Sequence, residues 1–154
     1  VFERANLGQV TWPTPIYDRD ATEAKGEVVK QPLLVRYRVF TRAERKAMER
    51  EQVQSLASKA RELMVRKEGE TLEQHTARVE TETQRLIEDM DARDARREQE
   101  LLSRVLGYYQ GTGSTAEFVP FEHGQLHELL AFDGYHEDFW NGLREASRGA
   151  AAKN

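Results

Sequence analysis

The stretch from Thr71 to Glu100 sets the tightest limit on how this chain can fold. Its last turns are rich in helix formers and in opposite charges three or four residues apart, a pattern that favours the continuation of one helix. Its apolar seam is Leu72, Thr76, Val79, Thr83, Leu86 and Met90, in alternating steps of four and three as in a coiled coil, with threonines that weaken it. The turns that follow, "DARDARREQE", carry almost nothing to bury and read as a solvated continuation. A helix of this kind gains its stability from a neighbour laid along one narrow stripe.

The segment before it supplies that neighbour. Thr41 stands where an N-cap belongs and Glu44 follows three residues later, the spacing of a reciprocal capping box. Val53, Leu56, Ala57, Ala60, Leu63 and Met64 then recur at three- and four-residue steps, prolonged at lower bulk by Ala43 and Ala47, and Gly69 ends the run. Thr71 is placed to cap the next helix. Hydrophobic character returns at Leu101, Leu102, Val105 and Leu106 and stops at Gly107 and the turn "QGTGST". A short break near Gly69 favours antiparallel neighbours, so a helical hairpin is expected over 41–107.

On the N-terminal side, "LGQVTWPTP" mixes β-formers with prolines that cannot donate to a ladder, which limits it to an edge strand. The polar stretch "DRDATEAKGE" separates it from a strand expected over Leu33 to Phe40, with Val35, Tyr37 and Val39 on one face. Towards the C-terminus, a helix is expected near Gln125 to Phe132 with Leu126, Leu129 and Leu130 inward. A turn at Asp133-Gly134 leads to a second helix near Glu137 to Ser147, with Phe139, Trp140, Leu143 and Ala146 on its apolar face. The fold class is mainly α, of α+β type, with a short N-terminal antiparallel β pair, a long helical hairpin and two short C-terminal helices. These form one domain divided into an extended segment (1–40), the hairpin (41–107), the C-terminal helices (118–148) and a tail (149–154).

Composition narrows the function. Charged residues make up 32% of the 154 and hydrophobic ones 38%, a thin supply of core-formers that suits an elongated or partner-dependent protein better than a compact enzyme. A net charge of -4 offers nucleic acid no long-range attraction. With no cysteine there is no disulfide framework and no thiolate metal site, which fits a reducing compartment. No run approaches the roughly 20 apolar residues of a membrane span, and "VFERANLGQVTWPTP" lacks the apolar core of a signal peptide.

Residues that could carry catalysis are few and poorly arranged. His123 and His127 have a metal-ligand spacing, but Gly124 stands where a zinc protease needs a Glu, so a solvated or capping pair is the expectation. "GTGST" lacks a Lys, follows an expected helix and does not lead into another, so it reads as a turn and not a phosphate cradle. No carboxylate pair stands out for acid-base work. The expectation is no catalytic residue, no cofactor and no metal. Trp12, Tyr108, Tyr109 and Trp140 are the bulky aromatics whose placement matters most: core is the ordinary fate of Trp140, while Trp12, Tyr108 and Tyr109 neighbour Pro or Gly turns where partner contact competes with burial. All four are candidate partner-binding residues.

The order of these segments resembles the tail assembly chaperones of long-tailed bacteriophages and prophages. The resemblance rests on the strand-into-helix junction "VRYRVFTRAE", the aromatic step "VLGYYQG", the "VPF" element before a Leu-rich helix, and a last helix ending in Gly, Ala, Lys and Asn. Tyr108-Tyr109 stand where the family's step usually carries a Trp, and the charged section from Gly69 to Glu100 is longer than is common. The resemblance implies a non-enzymatic protein of the host bacterial cytoplasm. It would bind the tape-measure protein, and with it the tail tube protein, keeping the tape measure soluble until the tube polymerises, without nucleic acid or membrane.

The terminal "AAKN" permits the codons A-AAA-AAC, on which a ribosome can slip, and family members are commonly made in a short and a frameshifted longer form; a plain tail of small residues explains the same letters. The alternative from another class is a structural adaptor or coiled-coil interaction module that self-associates through the Leu72 to Met90 seam.

Overall fold

The computed structural model describes residues 7–53 and 56–153. Contacts divide the chain into two compact units, Val1–Arg42 with Arg97–Asn154, and Ala43–Arg96. The elements in order are β1 (Gln9–Tyr17), α1 (Arg19–Lys25), β2 (Lys30–Arg38), α2 (Arg42–Val53), α3 (Leu56–Met64), α4 (Leu72–Arg104), β3 (Val105–Gln110), β4 (Glu117–Pro120), α5 (His123–Leu130) and α6 (Asp133–Lys153).

The first unit is a four-stranded antiparallel sheet in the order β1-β2-β3-β4 with α6 packed across it. The expected N-terminal β pair is therefore corrected: β1 and β2 are half of a larger sheet. The residues read as a helix end and a Gly-rich turn fold instead as the hairpin β3-β4, closed by a 3₁₀ turn at Gly113–Thr115. Gly111 and Gly113 take φ of 92° and 62° there, angles that other residues rarely adopt. "GTGST" thus follows a strand, not a helix.

β1 is an edge strand, as its prolines require. Two residues apart, Pro13 and Pro15 present their missing N–H groups to the same side, which an edge tolerates. Pro32 in β2 lies beyond the stretch that pairs with β3, so this strand begins at Lys30, ahead of the expected Leu33, without breaking a central ladder. The polar stretch after β1 contains α1, which sequence patterning missed. The Asp18 carboxylate accepts the Ala21 N–H at 3.0 Å, and Gly26 closes the helix in the left-handed region at φ 69°.

Val35, Tyr37 and Val39 do share one face and are buried. Against them α6 lays Phe139, Trp140, Leu143 and Ala146, all buried, and Leu101, Val105, Leu126 and Leu130 complete the core. Leu129 is half-buried, so of the expected inward trio only Leu126 and Leu130 are fully enclosed. α6 approaches the sheet at Gly142, where a Cβ would collide with the Tyr37 hydroxyl and the Thr14 side chain. Those two hydroxyls share a 2.7 Å hydrogen bond, both buried. Asp138 is buried on α6 and satisfied from two sides, by the Tyr17 N–H at 3.0 Å and the Lys30 ammonium at 2.6 Å. Such pairing is what a buried carboxylate needs.

The second unit holds most of α2, all of α3 and the first part of α4. α2 begins at Arg42, immediately after Thr41. Val53, Leu56 and Ala57 of the expected stripe lie outside the residues whose side chains are described. α3 ends at Met64, and Gly69, at φ 78°, belongs to the turn that follows it. Thr71 caps α4 as its spacing indicates: the Thr71 hydroxyl accepts the Gln74 N–H at 3.2 Å and the Gln74 side chain accepts the Thr71 N–H at 3.0 Å. Arg78 pulls the turn onto α4, donating to both Glu70 oxygens at 3.0 and 3.2 Å and to the Val65 carbonyl at 3.0 Å. The His75 ring meets the Leu63 carbonyl at 2.9 Å. α4 runs on through "DARDARREQE" to Arg104, the solvated continuation that its charge pattern indicates.

Candidate partner-binding groove

The local sequence places aromatic side chains around one opening in the first unit. β3 supplies Tyr108, whose backbone pairs with Val35 and Val119, so its ring lies on the same side of the sheet as the core. The chain leaving β4 returns at once: the Phe121 N–H donates to the Leu106 carbonyl at 3.1 Å, which puts the Phe121 ring 5.1 Å from that of Tyr108. α5 then starts at His123. Its buried face is Leu126 and Leu130, and its next face presents Gln125, Glu128 and Leu129, spaced three and four residues apart. Phe132 follows the helix end, held by its N–H to the Leu129 carbonyl at 3.1 Å.

Tyr108, Phe121, Gln125, Glu128, Leu129 and Phe132 line a groove of about 370 Å³. Its floor is anchored: Phe121 meets Phe139 of the core edge-on at 5.8 Å. Its rim is open, with Phe132 65% exposed. Phe132 also touches Tyr135 at 6.5 Å, and Tyr135 in turn lies 5.8 Å from Tyr17. Glu128 is the one ionisable carboxylate on the lining, and Gln125 adds an amide that can donate and accept. An apolar slot with two polar groups on one helix can seat a Leu- or Phe-sized side chain and orient the backbone that carries it.

The four aromatics singled out in the sequence do not converge. Tyr108 lines the groove. Tyr109, the next residue, is on the other side of the sheet, its ring 5.4 Å from Phe118 and its hydroxyl accepting from Arg36 at 3.1 Å. Trp12 lies between β1 and α6, with its ring against Gly149 and its indole N–H 3.4 Å from Glu145. Trp140 is 6% exposed, packed edge-on to Phe40 at 6.1 Å beneath the Arg97 guanidinium at 4.9 Å. Phe121, Gln125, Glu128, Leu129 and Phe132 are the groove residues that sequence reasoning did not assign to a site, with Leu129 expected in the core. The available signal was the unburied Phe of "AFDG" just beyond a short Leu-rich helix.

His123 and His127 are both exposed on α5, and the His127 Nδ1 lies 2.9 Å from a Glu98 carboxylate oxygen. Among the described residues no group of three His, Asp or Glu is placed to hold a metal ion. Nor is any helix among them long and apolar enough to cross a membrane.

Comparison with protein-family models, with curated proteins and with solved structures gives no match.

Proposed function

We propose that this chain is a tail assembly chaperone of a long-tailed phage or prophage, which binds the tape-measure protein and keeps it soluble until the tail tube assembles around it. The observation that carries this reading is the aromatic groove, an open slot for apolar side chains on a chain in which 32% of the residues are charged. A tape-measure protein is long and helical, and its apolar stripes need cover before the tube exists. A groove rimmed by Phe132 and Leu129 covers one turn of such a stripe, while the charged surface keeps the complex in solution. Several copies along one tape measure would shield it without high affinity at any single site, which leaves release to the polymerising tube.

The test is co-expression with the tape-measure protein of the phage or prophage that encodes this chain. The tape measure is expected in the soluble fraction with the native chain and in the pellet with Phe132→Ser. A tape measure equally insoluble with and without the native chain would overturn the proposal.

A further inference from the structure

Among its described residues the second unit leaves several large apolar side chains exposed. Among the described residues of Ala43–Arg96 no side chain is buried. Met64, Val65, Leu72, Ile87 and Met90 are 46–75% exposed. Between α3 and α4 runs a groove of about 370 Å³ that Leu63 and Leu86 line without closing. Among these described residues the hairpin encloses no side chain, and so shows little of the packing that most helices depend on.

Charge indicates what covers it. From Ala43 to Lys67 there are seven basic residues against four acidic; from Leu72 to Arg96 there are seven acidic against four basic. The two arms of the hairpin thus carry excesses of equal size and opposite sign. A partner of one sign would be repelled by one arm. A second hairpin turned through a two-fold axis places each basic arm beside an acidic one, twice over. The α4 seam has the four-and-three step that such packing uses, and the Thr76 hydroxyl within it is already satisfied by the Leu72 carbonyl at 2.9 Å, so enclosing it strands no donor.

We propose that the α3-α4 face of Ala43–Arg96 is a dimer interface, on which two copies of this chain close an antiparallel four-helix bundle. The inference goes beyond the chaperone reading and does not depend on it, since the aromatic groove lies in the other unit.

Light scattering on the size-separated 154-residue chain, at micromolar concentration and low salt, tests it. The expected mass is twice the 17.8 kDa of one chain. Leu86→Asp should halve it, whereas Phe132→Ser should leave it unchanged. Should Leu86→Asp not fold, Thr83→Leu provides the opposite arm of the test: by filling a weak seam position it should hold the dimer together at a dilution where the native chain has dissociated. Molar salt should shift the native chain towards monomer. A native chain of single mass, an assembly larger than two, a dimer indifferent to Leu86→Asp, or no tightening by Thr83→Leu would each overturn the interface.

Discussion

Tyr108 and Tyr109 are consecutive in β3 and serve opposite faces of the sheet, Tyr108 stacked 5.1 Å from Phe121 beside the groove and Tyr109 5.4 Å from Phe118 on the other side. The alternation of a strand makes the aromatic step a divider: one ring belongs to the proposed binding site and the other to the sheet's own stability.

The two tyrosines should therefore fail differently. Tyr109→Ala removes a ring pair and leaves the Arg36 guanidinium without one acceptor, so urea denaturation should show a loss of about 1–3 kcal/mol, with partner binding by the folded fraction retained. Tyr108→Ala should weaken partner binding by more than it lowers stability. Equal effects of both on binding would contradict the assignment.

Tyr37 sets an alkaline limit on the first unit. Burial pushes its phenol well above the ordinary value of 10, against the opposing effect of its hydrogen bond with Thr14. A group whose folded pKa is raised contributes stability in full below its unfolded value and loses that contribution as the pH rises past it. The native chain should accordingly lose stability progressively above pH 10, and Tyr37→Phe should flatten that loss. At neutral pH the same variant should cost about 1 kcal/mol, since Thr14 keeps only the Trp12 carbonyl at 3.3 Å. Urea melts on either side of pH 10, followed by tryptophan fluorescence, measure both effects.

Glu70 gives the second unit an acid limit of the opposite sign. The hydrogen bonds from Arg78 hold its carboxyl below the usual value of 4.5. A depressed folded pKa contributes stability above the unfolded value and loses it as the pH falls through the folded one. The Arg78 Nε–H resonance should stay shifted by its bond to Glu70 down through pH 4.5 and then collapse. In Glu70→Gln it should lack that acid transition altogether.

Where local pattern and tertiary packing agree, the sequence was readable. Val35, Tyr37 and Val39 announce a buried strand face by alternation alone, and Phe139, Trp140, Leu143 and Ala146 announce a buried helix face by spacing. The hairpin β3-β4 was hidden because Gly107 looks like a helix stop. Its actual constraint comes from beyond its own segment: a Cβ at Gly107 would strike the Phe118 ring and the Val119 carbonyl of β4. Local spacing cannot report an approach between two strands that it has not recognised. The groove was half legible for the same reason. Tyr108 stands out beside a glycine, but Phe121, Leu129 and Phe132 come from a strand exit, a helix face and a helix end, and only the fold brings them together.

The most direct measurement is isothermal titration of the 154-residue chain with a soluble helical fragment of the cognate tape-measure protein, native against Phe132→Ser. Saturable binding by the native chain is expected, with a loss of at least about tenfold in the variant, equivalent to roughly 1.4 kcal/mol, and a thermal midpoint nearly unchanged because Phe132 is mostly exposed. Binding of equal strength by both proteins would contradict the groove, and no binding by the native chain to fragments covering the tape measure would contradict the chaperone reading itself.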